Sequence, residues 1–257
     1  MYKFGISVCP GIEYSDLLPM LREIGFSAFF SHHLETDFKK DIAENRRLAD
    51  RYDVVYETSH CHMPGNAAIW QSGTEGDDYI ALMNRQLDVC GEYDVPIMIV
   101  HVEPDFTQNP VFETGLERFK VLVDHAEKNG VKLAFENLNA PEFLFKTLDY
   151  FTGDNIGFCY DVGHAYCKTH DVDYMSRLGK RLMCTHIHDN HGGPDEHLLP
   201  FEGIVDFRRM YAECKACGYT GYLTMEMAFH DFYREKMTDR EFVQACYDSL
   251  MRIVEEG

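Results

Sequence analysis

Alternation is the feature that most constrains how this 257-residue chain can fold. Eight short runs rich in β-branched and aromatic residues are each followed by an amphipathic stretch whose apolar residues recur every three or four positions. The runs are KFGISV (3–8), SAFFSH (27–32), VVYETSH (54–60), IMIVHV (97–102), KLAFEN (132–137), IGFCYD (156–161), LMCTHIH (182–188) and YLTMEM (222–227). The amphipathic stretches centre near Leu17–Ile24, Ile42–Tyr52, Tyr79–Glu92, Phe112–Lys128, Glu142–Phe151, Tyr174–Gly179, Phe207–Cys217 and Arg240–Glu255. Gly25, Gly130, Gly153 and Gly218 supply helix stop signals. Eight strand–helix units in this length predict a (β/α)8 TIM barrel, an α/β fold. An open doubly wound sheet is the alternative, and it is disfavoured because VCPGIEYSD, after the first strand, has one glycine where a phosphate-binding turn needs several. With no linker, low-complexity tract or close repeat, residues 1–257 are expected to form one domain.

In such a barrel the strand C-termini converge on one mouth, where active sites sit. The third strand ends in His60 and His62, the fourth in His101 and Glu103, the fifth in Glu136, the sixth in Asp161, the seventh in His186 and His188, and the eighth in Glu226. Because side chains alternate along a strand, Thr58, Ile99, Ala134, Cys159, Cys184 and Thr224 are expected on the same inward face, with Phe135, Ile187 and Met225 turned toward the helices. Carboxylates converging on a closed mouth repel one another unless a cation lies among them. Glu136, Asp161, His186 and Glu226 offer three carboxylates and one imidazole, a set suited to manganese, magnesium or cobalt and compatible with zinc. His164 follows three residues after Asp161 as a further ligand or a hydrogen-bond donor. The span THIHDNHGGPDEH (185–197) adds Asp195 and His197, and makes Asp189 and Asp195 candidate acceptors for the spare nitrogen of His186. The segment PGNAAIWQSGTEGDD, after the third strand, is the lid candidate. Its Trp70 either packs the loop or touches substrate.

The formal net charge of −19 opposes phosphate backbones and anionic membranes, and the few basic pairs lie inside amphipathic patterns. No nucleic-acid or membrane partner is expected. MYKFGISVCP lacks the apolar stretch of a signal peptide, and no run reaches the length of a membrane span. Nine scattered cysteines read as reduced thiols, which points to a cytoplasmic protein. Cys214 and Cys217 form a C-x-x-C without a second pair to complete a metal site.

Taken in order and spacing, FENLN (Glu136), YDVGH (Asp161, His164), HIHDN (His186), DEHLLPFEGIVDF (Asp195, His197) and LTMEM (Glu226) resemble the xylose-isomerase-like barrel superfamily. That superfamily holds sugar isomerases and epimerases, inosose dehydratases and the endonuclease-four type of apurinic/apyrimidinic endonuclease. The resemblance to its ketose epimerases implies one metal ion on Glu136, Asp161, His186 and Glu226, with the two glutamates moving the proton. The resemblance to its endonucleases implies further ligands at His60 or His62, His101, His164, Asp195 and His197, and more than one zinc. The chain departs from the epimerases in having HGGP where an arginine is expected after HIHDN, and from the endonucleases in its acidity. The expected function is a divalent-metal-dependent sugar or polyol isomerase or epimerase acting through an enediolate. Glu136 and Glu226 would transfer the proton and His164 would help to hold the oxyanion. The substrate is expected to be an unphosphorylated carbohydrate or cyclitol, although Lys168 offers a cation for an anionic group. The alternatives are a lyase or dehydratase on a keto-sugar or cyclitol, with His101, His188 or His197 as the acid; a multi-zinc phosphodiesterase; and a barrel scaffold without chemistry. A homo-oligomer is compatible with all of them.

Overall fold

Eight parallel strands run in the order β7-β6-β5-β4-β3-β2-β1-β8. They are β1 (Phe4–Val8), β2 (Ala28–Ser31), β3 (Val55–His60), β4 (Ile97–His101), β5 (Lys132–Glu136), β6 (Ile156–Asp161), β7 (Leu182–His186) and β8 (Leu223–Met227). The structure, a computed structural model, describes residues 3–33, 35–102, 104 and 109–257; Glu103, expected at the end of the fourth strand, lies outside the described residues. The seam between β7 and β8 is closed differently from the other pairs. Ile187 N–H donates to Thr224 O at 3.0 Å, Glu226 N–H to Ile187 O at 3.2 Å, and Thr224 N–H to the Thr185 hydroxyl at 3.0 Å. A threonine side chain thus replaces a backbone carbonyl and completes the (β/α)8 barrel.

Helices cover the outside: α1 (Tyr14–Ile24), α2 (Phe38–Tyr52), α3 (Glu75–Glu92), α4 (Phe112–Asn129), α5 (Pro141–Tyr150), α6 (Val162–Lys168), α7 (Tyr174–Leu178), α8 (Phe207–Cys217), α9 (Asp231–Arg234) and α10 (Asp239–Glu256). The expected amphipathic stretches all fall on these helices. The short α6 and α9 were not anticipated, because helices of seven and four residues are too brief to show a 3.6-residue period. Among the described residues, no helix is long and apolar enough to cross a membrane.

The pleat places side chains as alternation dictates. Ile99, Ala134, Cys159 and Cys184 form their own sealed cluster inside the barrel, while Phe135, Ile187 and Met225 join the core between sheet and helices. One irregularity matters for the interior. Phe29 pairs with Tyr56 but Phe30 pairs with Thr58, so Glu57 is the extra residue of a bulge. Its buried carboxyl accepts a 2.5 Å hydrogen bond from the Thr224 hydroxyl.

The segment expected to be a lid is fastened down. Arg118, on α4, donates to the carbonyls of Ala68, Ile69, Gln71 and Gly73 and to the Asp77 carboxylate, with distances of 2.5 to 3.0 Å. Trp70 is fully buried against Phe112, Phe119 and Phe143. It packs as a core residue. A β-carbon on Gly115 would fall 2.0 Å from its ring, so only glycine lets α4 approach the tryptophan.

Glu57 generates a pH prediction. Burial raises its carboxyl to about 7, against the weaker opposing effects of Thr224 and His186. A carboxyl raised on folding contributes its full stability below the unfolded pKa and loses it as pH climbs through the folded one. Between about pH 4.5 and pH 7 this group therefore costs stability progressively, up to about 3 kcal/mol. Glu57→Gln should remove that slope, raising the melting temperature relative to the parent at pH 8 and leaving it little changed at pH 4.5. Parallel thermal melts across that range check it, and parallel curves for the two proteins would contradict it.

Candidate metal centre

The strand ends β3 to β8 bring His60, His101, Glu136, Asp161, His186 and Glu226 together, all buried. His186 Nδ1 stands at the centre. Glu136 Oε1 is 2.9 Å away, Glu226 Oε2 3.2 Å and Asp161 Oδ2 3.9 Å. One ring nitrogen carries at most one proton, so it cannot donate to three carboxylates at once. The ligand atoms of these four residues lie within 4.8 Å of one another. Among the described residues three further groups adjoin this set: His60, His101 and Glu136; Glu136, Cys159 and His186; and His164, His188, Asp195 and His197.

The histidines are aimed by the backbone. His60 Nδ1–H donates to the Cys61 carbonyl at 2.9 Å, His164 Nδ1–H to the Asn137 carbonyl at 3.1 Å, and His197 Nδ1–H to the Glu226 carbonyl at 3.0 Å. A carbonyl only accepts, so in each neutral ring Nε2 carries the lone pair. Those lone pairs face carboxylates: His60 Nε2 lies 3.2 Å from Glu136 Oε2, His164 Nε2 2.8 Å from Asp195 Oδ2, and His197 Nε2 3.5 Å from Asp195 Oδ1. His101 Nε2 lies 3.2 Å from the same Glu136 oxygen as His60. Lone pair against carboxylate is repulsive unless a proton or a cation intervenes, and a histidine whose other N–H is tied to a carbonyl is the usual form of a metal ligand. The donor set therefore fits a divalent ion.

Asp161 is set by its neighbours. The Asn137 carboxamide accepts from Asp161 N–H at 2.9 Å and donates to its carbonyl at 2.7 Å, locking the ends of β5 and β6 together. Asp161 Oδ1 then accepts from His164 N–H at 2.6 Å, so a carboxylate of the central set is also the N-cap of α6. His188 Nε2 approaches Asp161 at 3.1 Å, and its ring stacks on His197 with centroids 3.9 Å apart. Gly163 leaves room for this ring, since a β-carbon there would meet His188 Cε1 at 1.9 Å.

Electrostatics follow from these contacts. Burial pushes the Glu136 carboxyl up, but His186, His101 and His60 outweigh it and hold the group well below the usual range. Glu226 behaves alike through His186, His197 and His32. Burial opposes charging of His60 and His186, yet hydrogen bonds and adjacent carboxylates raise both well above the ordinary imidazole value. The same contest, decided by Asp161 and Asp195, lifts His164 to about 9; Asp195 and Glu226 lift His197 to about 10. His101 is lowered by burial despite Glu136.

Several expectations meet a different geometry. His62 turns away: its Nδ1 bonds the His33 carbonyl at 3.0 Å, and among the described residues it joins none of these groups. Asp189 does not support His186. It is buried and accepts backbone N–H bonds from Asn190, Phe201, Gly203 and Val205 at 2.8 to 3.0 Å, which organises the loop after β7. Asp195 is occupied by His164 and His197 and by Lys168 at 3.1 Å, and among the described residues His186 Nε2 is buried without a hydrogen-bond partner. Cys214 and Cys217 are free thiols. His32 was missed. Its Nε2 is 3.2 Å from Glu226 Oε1 and its ring stacks on His60 at 5.2 Å, while burial lowers it to about 3, keeping it neutral. The strand-end reasoning that found the other residues applies equally to the SHH at the end of β2. A cleft of about 490 Å³ lined by His32, His60, His101, Asn66 and Leu138 opens beside the cluster, within the size range of small-molecule sites.

Fold and site together define a (β/α)8 barrel with a carboxylate–histidine mouth. The chain belongs to the xylose isomerase-like TIM barrel family, whose profile matches residues 18–245. It is 29% identical over 199 residues to the uncharacterized protein y4fM of Sinorhizobium fredii, covering 72% of this chain and 61% of that one, so the match spans less than two thirds of that relative. It is 28% identical to the uncharacterized protein MJ1311 of Methanocaldococcus jannaschii, covering 96% and 92% of the two chains. It is 22% identical to an inosose isomerase of Bacillus subtilis over 63% of each. The fold is shared with a D-tagatose 3-epimerase-like protein, at TM-score 0.78 and 22% identity over 99% of both chains. It is also shared with the IolI protein solved with a zinc atom, at TM-score 0.79 and 16% identity over 100% and 99%.

The protonated histidines predict how metal uptake depends on pH. His186, which Glu226 and Glu136 hold well above the ordinary imidazole value, must lose a proton before it can ligate an ion in the central set. Affinity for zinc or manganese should climb as pH rises from 6 to 8, by roughly tenfold per unit for each proton displaced. Calorimetry in buffers of different ionisation enthalpy should register the released protons; a flat profile without proton release would contradict these assignments.

Proposed function

We propose that the chain is a divalent-metal-dependent isomerase or epimerase that moves a proton on a small sugar or cyclitol through an enediolate. The observation that carries this reading is the placement of Glu136 and Glu226, from strands β5 and β8, against the same nitrogen of His186 at 2.9 and 3.2 Å. A manganese, magnesium, cobalt or zinc ion on Glu136, Asp161, His186 and Glu226 would polarise a substrate carbonyl and its neighbouring hydroxyl, acidifying the hydrogen between them. Glu226 retains 6% exposure whereas Glu136 has none, so Glu226 is the better placed to take the proton and Glu136 to return one from the other side. His164, cationic beside both Glu136 and Asp161, would stabilise the developing oxyanion through its charge. Lys168 is committed to Asp195, which favours an unphosphorylated substrate. The inosose isomerase among the relatives and the zinc-bearing structural neighbour support the reading.

Glu226→Gln keeps an oxygen that can ligate and removes the base. It should retain metal by elemental analysis while turnover on a responsive ketose or inosose falls roughly 10²–10⁴-fold. Substrate turned over in heavy water should gain deuterium at the carbon beside the carbonyl. Turnover without that exchange, together with an active Glu226→Gln protein, would replace proton transfer with a hydride shift.

A second reading is favoured by the two flanking groups. Glu136 belongs both to the central set and to the His60–His101 group, so these two share a carboxylate, and the third group touches the central set where His188 meets Asp161 at 3.1 Å. Shared carboxylates suit neighbouring metal ions, which clamp the attacking and leaving oxygens of a phosphodiester. The charge of −19 opposes a DNA substrate. The expected outcome is therefore no nicking of abasic-site DNA by the zinc-loaded protein. Robust cleavage together with three metal ions per chain would make this reading the better one.

A further inference from the structure

Two thiols sit in the barrel interior beneath the carboxylates, and nothing above uses them. Cys159 and Cys184 are register partners on β6 and β7, both sealed within the small interior cluster. The Cys159 Sγ lies within 4.8 Å of ligand atoms on both Glu136 and His186. One further fact gives that proximity meaning. Among the described residues, His186 Nε2 is buried and has no hydrogen-bond partner, so this ring has an uncommitted nitrogen in a sealed environment.

We propose that Glu136, His186 and Cys159 form a second, sulfur-bearing position under the oxygen-rich set, selective for a soft or borderline divalent ion such as cadmium or zinc. This rests on the reading of the strand ends as a metal centre. When such an ion binds, the Sγ–H bond breaks, the proton leaves to solvent and an Sγ–metal bond forms; no atom changes oxidation state. Hard ions gain little from a thiolate and stay with Glu136, Asp161, His186 and Glu226. Glu136 and His186 belong to both positions, so a soft ion drawn down to the sulfur competes with a hard ion above for the same two side chains. The interior cysteine thereby becomes a determinant of which metal the protein keeps.

The test reads the sulfur directly. Cobalt-substituted protein should show a thiolate-to-cobalt charge-transfer band in the near ultraviolet. Cys159→Ser should abolish the band and weaken cadmium binding by at least about tenfold, while magnesium and manganese affinities change less than about twofold. Cys184→Ser should keep the band. If Cys159→Ser does not fold, the ¹¹³Cd resonance of the unaltered protein decides, since a sulfur ligand moves it far from the position of an all-oxygen-and-nitrogen site. Cobalt or cadmium bound without a sulfur signature, or a band that survives Cys159→Ser, overturns the proposal and leaves the oxygen-rich centre standing. Failure to bind any divalent ion overturns the metal centre itself, and this position with it.

Discussion

Three buried carboxylates crowd one imidazole nitrogen, and the architecture of the mouth is arranged around their repulsion. Glu136 and Asp161 are sealed from solvent and Glu226 nearly so. Unscreened negative charges this close cannot coexist in a low-dielectric interior without positive charge between or beside them. The barrel supplies the means at strand ends, because neighbouring strands deliver their last inward residues to a common centre. It also fixes their aim: the carbonyls of Cys61, Asn137 and Glu226 take the outer N–H of His60, His164 and His197, which turns the other nitrogen inward. Ring orientation is thus written in backbone geometry and does not depend on the ligand that later occupies the centre.

The histidine-rich span 185–197 shows how such a site is selective about its own sequence. His186 and His188 point into the mouth because β7 and the residues just past it keep the pleat. Asp195 and His197 return because Asp189 gathers four backbone N–H groups and folds the following loop back over the strand ends. His191 takes no part; it is exposed and pairs with Glu196. Four histidines that look equivalent in the chain therefore divide into three that serve the cluster and one that does not. The residue that makes the division, Asp189, acts through the backbone N–H groups it accepts and not through His186.

This division marks what could be read from the amino acids and what could not. Strand order, inward faces and the ends that carry Glu136, Asp161, His186 and Glu226 were legible, because a period of two and a helix after each strand leave few arrangements. His60 and His62 could not be separated by that rule. They share a parity, and only the end of β3 at His60, with His62 bonded to the His33 carbonyl, decides between them. The bulge at Glu57 was invisible because inserting one residue leaves the local alphabet unchanged. The packing of Trp70 and its segment was not legible for a tertiary reason: loop-like composition says nothing about Arg118, 48 positions further along, which ties four of the segment's carbonyls to α4.

Protons and metal ions are interchangeable counterions in this mouth, and that shapes how the centre relates to folding. The same contacts that invite a cation raise His60, His186, His164 and His197, so in the absence of metal those rings carry positive charge against Glu136, Asp161, Glu226 and Asp195. A barrel built this way does not need metal to bury its carboxylates. Its stability gain on loading is the difference between two sets of counterions, smaller than the full cost of leaving three carboxylates unpaired. The histidines also set the terms of exchange, since an ion that enters must displace imidazole protons that the neighbouring carboxylates stabilise. Folding, metal retention and acid sensitivity are consequently coupled through one cluster, while the hydrophobic layer between sheet and helices carries the fold.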